Sequence, residues 1–541
     1  MRSPAVALAC CLLAAPAAPL AGQNPWVPPQ PPCDISPGYF RINSAVVDLK
    51  GASEQPRQRE HLLAQAVDVL TRSIRDDHQD KNPAAWYYLG RYYIEVGNAA
   101  GADSAFGKAQ ALAPQCAKDI TSYRTRLYSD LLAGGQRTWQ ESKLDSAIGL
   151  LHLAQHLSPD NPRAYFVLGA VFTARDELDS ATTYLSKGVQ AAGTDTAFTA
   201  AKQQALSTVA HAAVRRVQTD PSAQQWQRTR YSRDSLGRGV ANDSLVLARM
   251  QASAASRRAR GARLSPADQR TFTADSTTRA QTVERGLAAR REMAPRVAHD
   301  SAAVATAFGP AISAYQAYVA AYPTDADAVM SLAALYSQSA RPAEASGVFD
   351  AFFSHAAAVD VGVLFDLGQR LVNGGALTTG AKAYALGLQR SPWNRNALFD
   401  LGSAYLNLKD TANAVATAQR LVALDPLSRA SLRLAASAWD LRGRRDSAQR
   451  YVALVDSTLA VDVSVGSFVP DSGGDILTAI ATNIRTADSK PFRVTFEFLD
   501  AQGSVQATQT ADIPSMPGGT SHQFQLRVTG KGLLGWRYRP S

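Results

Sequence analysis

The sequence predicts a mainly α chain: a solenoid of stacked helical hairpins followed by a small all-β sandwich. Three observations predict it. Leu367-Gly368, Leu401-Gly402 and Ala435-Ala436 recur at one constant spacing. That spacing is about 34 residues, the length of one helix–turn–helix repeat. Prolines at Pro114, Pro159, Pro323, Pro392 and Pro426 stop apolar stretches of helical period, because a proline cannot continue a helix. From Val461 onward the apolar period drops to two, the period of half-buried strands. A chain of 541 residues also exceeds one compact core, so several domains or an extended array are expected.

The N-terminus reads as an export signal over 1–22. Arg2 supplies a positive start, the run Ala5 to Ala21 is apolar but broken by Pro16 and Pro19, and Gly22 leads into Gln23-Asn24. Small residues and prolines fit cleavage better than a membrane span. Cys10 and Cys11 lie inside the apolar run rather than at its end, which argues against a lipidated cysteine. No other segment is long enough to span a bilayer. The expected location is therefore exported, periplasmic or secreted, with no transmembrane span after cleavage. Cleavage leaves two cysteines, Cys33 in a 23–57 extension and Cys116. An even pair in an exported chain permits one disulfide; two unrelated thiols is the alternative.

The first array, 58–190, carries Trp86, Leu89-Gly90, Tyr93, Gly97, Ala102, Phe106, Ala109 and Pro114 in one ungapped window. A second copy holds Tyr165, Leu168-Gly169, Phe172, Ala181, Leu185 and Gly188. The second array, 305–458, repeats the pattern around Leu332-Ala333, Leu367-Gly368, Leu401-Gly402 and Ala435-Ala436. Half-matches at Ala66–Ile74, Ala147–Pro159 and Ala311–Pro323 bring the expected count to about eight or nine, some degenerate. These positions resemble the tetratricopeptide repeat family. Small residues at positions such as Gly90 and Ala102 let the two helices of a repeat approach, and large ones such as Trp86 and Phe106 fill the space between neighbours. No hairpin buries its apolar face alone, so hairpins stack.

Between the arrays, 191–304 is expected to be an Ala/Arg-rich helical linker or insertion. From Arg215 to Arg296 there are 17 Arg, no Lys and 7 acids, an excess equal to the formal net charge of the chain, +10. After Trp226 only Tyr231 and Phe272 are aromatic there, and nucleic-acid binders interleave aromatics or follow a motif. No nucleic acid is expected. Solvated helices with flexible joints are the main reading, and weak contact with an anionic surface is the sharper one.

The last segment, 459–541, alternates at Val461, Val463 and Val465, at Phe492, Val494, Phe496 and Phe498, and at Phe524, Leu526 and Val528. Asp500-Ala501-Gln502-Gly503 signals a turn. About seven short strands are expected in a sandwich that resembles immunoglobulin-like domains.

Nothing in the chain specifies catalysis, so a non-enzymatic role without cofactor or metal is expected. His152 and His156 share a helix face but have no evident third ligand, which favours a surface pair. Gly134-Gly135 and Gly374-Gly375 read as inter-helix turns, not phosphate loops. The resemblance implies instead a concave groove lined by the first helix of each repeat. Its positions fall on Tyr87, Phe166, Met330, Phe365, Phe399 and Arg433, with the amides of Gln338, Asn373 and Asn407 farther along. The Lys and Asn set that clamps a C-terminal carboxylate in chaperone-binding members is missing. The expected function is a scaffold holding a protein or peptide in that groove; the alternative is a non-catalytic accessory subunit of an envelope enzyme or of a secretion or assembly complex.

Overall fold

The computed structural model describes residues 26–261, 264–455, 460–471, 474–500, 502–530 and 532–540. The expected export signal, 1–22, lies outside the described residues. The chain divides into two compact units, Met1–Tyr318 and Val319–Ser541.

In the first unit, α1 (Phe40–Glu54) pairs with α2 (Arg59–Arg75), α3 (Pro83–Glu95) with α4 (Ala99–Leu112), α5 (Ala117–Gln140) with α6 (Leu144–Leu157), and α7 (Pro162–Ala174) with α8 (Leu178–Ala192). A further helix, α9 (Thr199–Thr219), packs on α8. Local sequence sets the helix starts. Asn82 and Asn161 each accept a hydrogen bond from the backbone two residues on, and Pro83 and Pro162 follow at the first helical position. There the side-chain carbonyl satisfies an orphan N–H while proline has none to lose.

Helical hairpins begin earlier than the expected array boundary. Helix α1 lies within 23–57, and its Ile42, Ala45 and Leu49 are buried. The segment before it is also tied down. Cys33 and Cys116 form a disulfide with Cα atoms 4.3 Å apart. Arg91 donates to the Val27 carbonyl at 2.8 Å and lies 3.6 Å over the Trp26 ring. Gly134-Gly135 is not a turn: both residues sit inside α5. A Cβ on Gly135 would fall 2.6 Å from Leu151 Cγ, so Gly135 is the close-approach residue of the α5–α6 hairpin. It stands one repeat length before Gly169, and it is the signal that completes the half-match at Ala147–Pro159.

The Arg-rich segment is ordered as two long helices, α10 (Pro221–Ala259) and α11 (Pro266–Ala321). They run antiparallel. Thr229 donates to the buried Asp300 at 2.6 Å, and Arg279 donates to Asp243 at 3.1 Å. A hairpin therefore replaces the expected flexible joints, apart from residues 262–263, which lie outside the described ones.

In the second unit, four hairpins stack: α12 (Ala326–Gln338) with α13 (Pro342–Ser354), α14 (Val361–Asn373) with α15 (Leu377–Arg390), α16 (Arg395–Leu408) with α17 (Thr411–Leu424), and α18 (Arg429–Leu441) with α19 (Arg445–Ala453). Each of the last three turns passes through left-handed backbone, at Gly375 (φ 83°), Lys409 (φ 58°) and Gly443 (φ 80°).

Two antiparallel sheets follow, β1-β2-β5 and β4-β3-β6, from β1 (Val461–Asp471), β2 (Gly474–Asn483), β3 (Phe492–Leu499), β4 (Val505–Ile513), β5 (Ser521–Val528) and β6 (Gly535–Pro540). One core joins them: Val463, Leu477 and Ala479 from the first sheet meet Val494, Phe496, Phe498 and Tyr538 from the second. The described residues hold six strands where about seven were expected. The long run from Val461 is one strand whose register shifts between Val465 and Ser467, a bulge rather than a break. The expected turn at 500–503 joins β3 to β4: Gly503 N–H donates to Asp500 O at 3.1 Å.

The sandwich is bonded to the helices of its own unit. Asp425, wholly buried at the end of α17, accepts from Tyr538 Oη at 2.5 Å, from Ser431 Oγ at 3.2 Å and from Arg395 Nε. Trp393 Nε1 donates to Asp500 O at 3.0 Å.

Candidate binding face

The groove positions of the first unit are core. Tyr87 is fully buried, set edge-on against Phe106 and Tyr123, and donates to Asp119 at 2.5 Å. Burial, first, and then its neighbours push its phenol well above the usual tyrosine range. Phe166 is fully buried against Gly188 and Phe198. Both therefore drop out as ligand contacts, which corrects the sequence expectation. The reason is local. Gly188, on the second helix of the same hairpin, leaves a niche for Phe166; a Cβ there would stand 2.8 Å from the ring. Phe365 and Gly387 repeat the pair at the same separation, and a Cβ on Gly387 would clash with the edge of the Phe365 ring. An aromatic on the first helix matched by a glycine on the second is a legible sign of a ring turned toward its own hairpin, wholly for the buried Phe166 and in part for the half-buried Phe365.

In the second unit the face is mixed. Met330, Phe365 and Phe399 are half-buried, and Phe365 stacks on Tyr384 at 6.3 Å between centroids. Gln338, Asn373 and Asn407 are exposed. Helix α14 touches α16, and α16 touches α18, so their first-helix faces adjoin. Positions four apart share a helix face. One stripe then runs Phe365, Gln369, Asn373; the next runs Phe399, Ser403, Asn407; a third begins Arg433, Ser437. Gln369, Arg433 and Ser437 are exposed. Gln369 and Ser437 are additions to the expected set, and the i, i+4 spacing from Phe365 and Arg433 is the signal that finds them. The face is polar at its surface with an apolar floor, and amides can pair with both the N–H and C=O of a bound backbone.

Ionic contacts brace these helices. Arg370 reaches Asp327 of the preceding repeat at 2.6 Å and Asp366 at 3.1 Å. Tyr384 donates to Asp400 at 3.0 Å, linking α15 to α16. Burial raises the Asp400 carboxyl above its usual range, and the Tyr384 hydrogen bond opposes that rise.

The histidine pair does not converge. His152 meets the edge of Tyr184, while the exposed His156 lies 3.4 Å from Asp103. Among the described residues no group of three or more His, Cys, Asp or Glu could hold a metal ion. No described helix is long and apolar enough to cross a membrane.

Residues 365–429 match the tetratricopeptide repeat family. No curated protein matches the chain. Among solved structures, similarity is found to MamA, at 20% identity over 27% of this chain and 81% of that one, with a TM-score of 0.20. It is found also to the tetratricopeptide domain of P58(IPK), at 17% identity over 61% and 93%, with a TM-score of 0.17. A third is the Cut9–Hcn1 hetero-tetramer of the APC/C, at 12% over 78% and 89%, with a TM-score of 0.21. The matched segment runs from within α14 to the first residue of α18, through most of the α14–α15 hairpin and the whole of the α16–α17 hairpin. Residues 365–429 therefore carry tetratricopeptide repeats.

Proposed function

We propose that the chain is a protein-interaction scaffold that holds an extended peptide across the first-helix face of α14, α16 and α18. The observation that carries this reading is the repetition of one chemical pattern: a half-buried aromatic followed two helical turns later by an exposed amide, at Phe365–Asn373 and again at Phe399–Asn407. Amides recurring once per repeat suit a ligand recognised mainly through its backbone, with side-chain selection left to the shallow apolar floor. We also propose export through segment 1–22. The Cys33–Cys116 bridge supports it, since disulfides persist in oxidising compartments.

A random-peptide library panned on the full chain tests the binding reading. Selected peptides should bind the variant Gln369→Ala/Asn373→Ala/Asn407→Ala at least about 10-fold more weakly, as lost hydrogen bonds of about 0.5–1.5 kcal/mol each would give. These side chains are exposed, so the helical spectrum should not change. Full-strength binding by the folded variant would place the site elsewhere.

A further inference from the structure

The Arg-rich hairpin contributes no residue to the proposed peptide face, yet it carries the charge of the chain. Beyond the buried pair Thr229 and Asp300, no described residue of α10 or α11 out to the connecting loop is buried. One seam holds the two helices together, with Val240 against Gly286 and Asp243 paired to Arg279. The 39 residues of α10 extend about 58 Å at the helical rise. So long a pair of helices with so thin a core is held by little besides that seam, and its loop end is where charge concentrates.

The described residues of 249–270 contain five arginines (Arg249, Arg257, Arg258, Arg260 and Arg270) against one acid, Asp268. Arg257 and Arg260 donate to Ser253 and Ser256, at 3.0 and 2.6 Å, rather than to carboxylates. Asp268 is occupied by the Ser265 hydroxyl at 2.6 Å. At about 100° per residue, Arg249, Arg257 and Arg260 lie within about 80° of one another around α10, and Arg258 lies opposite. The charge therefore surrounds the end of the hairpin instead of lining a groove. No aromatic residue occurs in 249–270 on which a nucleic-acid base could stack. Guanidinium groups suit the bidentate geometry of phosphate oxygens, and a blunt end ringed with them complements a plane of such groups.

We propose that the tip of this hairpin docks end-on to a membrane surface rich in anionic phospholipid, its arginines pairing with headgroup phosphates. The test is co-sedimentation of the full chain with vesicles of phosphatidylcholine alone or with about 30% phosphatidylglycerol, at about 50 and 300 mM salt. The chain should partition onto the mixed vesicles about 10-fold or more above the neutral ones and be released by salt. The tip variant R257Q/R258Q/R260Q should lose most of that gain. A second tip variant, R249Q/R270Q, read in parallel, should weaken binding too, so that a folding defect in the first does not decide the outcome. The shaft variant R285Q/R290Q/R291Q removes the same formal charge from exposed positions and should keep the binding. The proposal is overturned if the wild-type chain ignores anionic vesicles, if both folded tip variants bind fully, or if the shaft variant loses as much as the tip. Tighter binding to a DNA duplex than to the vesicles would likewise overturn it and assign the arginines to nucleic acid.

Discussion

Tyr538 of β6 donates its phenolic hydrogen to the buried carboxylate of Asp425 at 2.5 Å, across 113 residues of sequence. Asp425 is also held by Arg395 and Ser431. The carboxylate has left water and depends on all three donors. Tyr538→Phe removes one and should cost about 1–3 kcal/mol. Asp425→Asn keeps the size but strips Arg395 of its counter-charge, for about 3–5 kcal/mol. Urea unfolding of each variant measures both. The pH dependence has a definite sign. Burial, first, and then Asp425 raise the folded Tyr538 pKa well above its unfolded value. Its contribution is therefore complete below a pH of about 10 and is lost as the pH rises through the folded value. The gap between wild type and Tyr538→Phe should narrow in strongly alkaline urea melts.

Gly387→Ala should destabilise the second unit by about 1–3 kcal/mol, because the new methyl meets the Phe365 ring inside a packed hairpin. Phe365→Ala alone should cost more, through the cavity it leaves. Combining them should cost less than the sum, since each removes what the other clashes with or exposes. Thermal melts of the two single variants and the double check the coupling; strict additivity would mean that ring and glycine do not share a niche.

Lys409 holds the left-handed turn position that Gly375 and Gly443 hold in the adjoining repeats. A side chain there crowds the backbone at a cost of roughly 1–2 kcal/mol, part of which glycine gives back as entropy of the unfolded chain. Lys409→Gly should therefore raise stability by about 0.5–1 kcal/mol. The reverse substitution, Gly375→Lys, should lower stability by a similar amount, read by the same urea titration.

Asp500 organises the β3–β4 turn by accepting from the backbone of Gln502 and Ser504, at 2.9 Å each. The Ser504 hydrogen bond, first, holds its carboxyl below the usual range. The contribution is then present above the unfolded pKa of about 3.9 and lost as the pH falls through the lower folded value. Amide exchange at Gln502 and Ser504 should stay slow at neutral pH and accelerate in that acidic window. In Asp500→Asn it should be fast throughout.

The hairpins are readable from the sequence because their physics is local and periodic. Leu367-Gly368 and Leu401-Gly402 report a crossing that a Cβ would block, and Asn82-Pro83 reports a helix start. The β-sandwich is readable in its alternation, yet the bulge near Gly466 is invisible to a count of strands. Tyr87 and Phe166 mislead for a different reason. Whether an aromatic faces a groove or its own hairpin depends on what the second helix sets opposite it, as Gly188 is set opposite Phe166. A repeat template aligned on conserved positions does not register that pairing. The partnership of Asp425 with Tyr538 lies still farther out of reach. Neither residue belongs to a motif, and only the docking of two differently folded segments makes a carboxylate at the end of a helix a buried one.

That partnership also sets an order of events during synthesis. Asp425 leaves the ribosome 113 residues before Tyr538, an interval of about 6–20 s at ordinary elongation rates. Throughout it, α17 and α18 carry a carboxylate placed for burial but missing one of its donors. The nascent helices are thus least secure while the strands are still being made, and they mature only when β6 arrives. Missense damage confined to β6 should therefore surface as proteolytic loss of the helical repeats that precede it, with the breakdown beginning far from the altered residue.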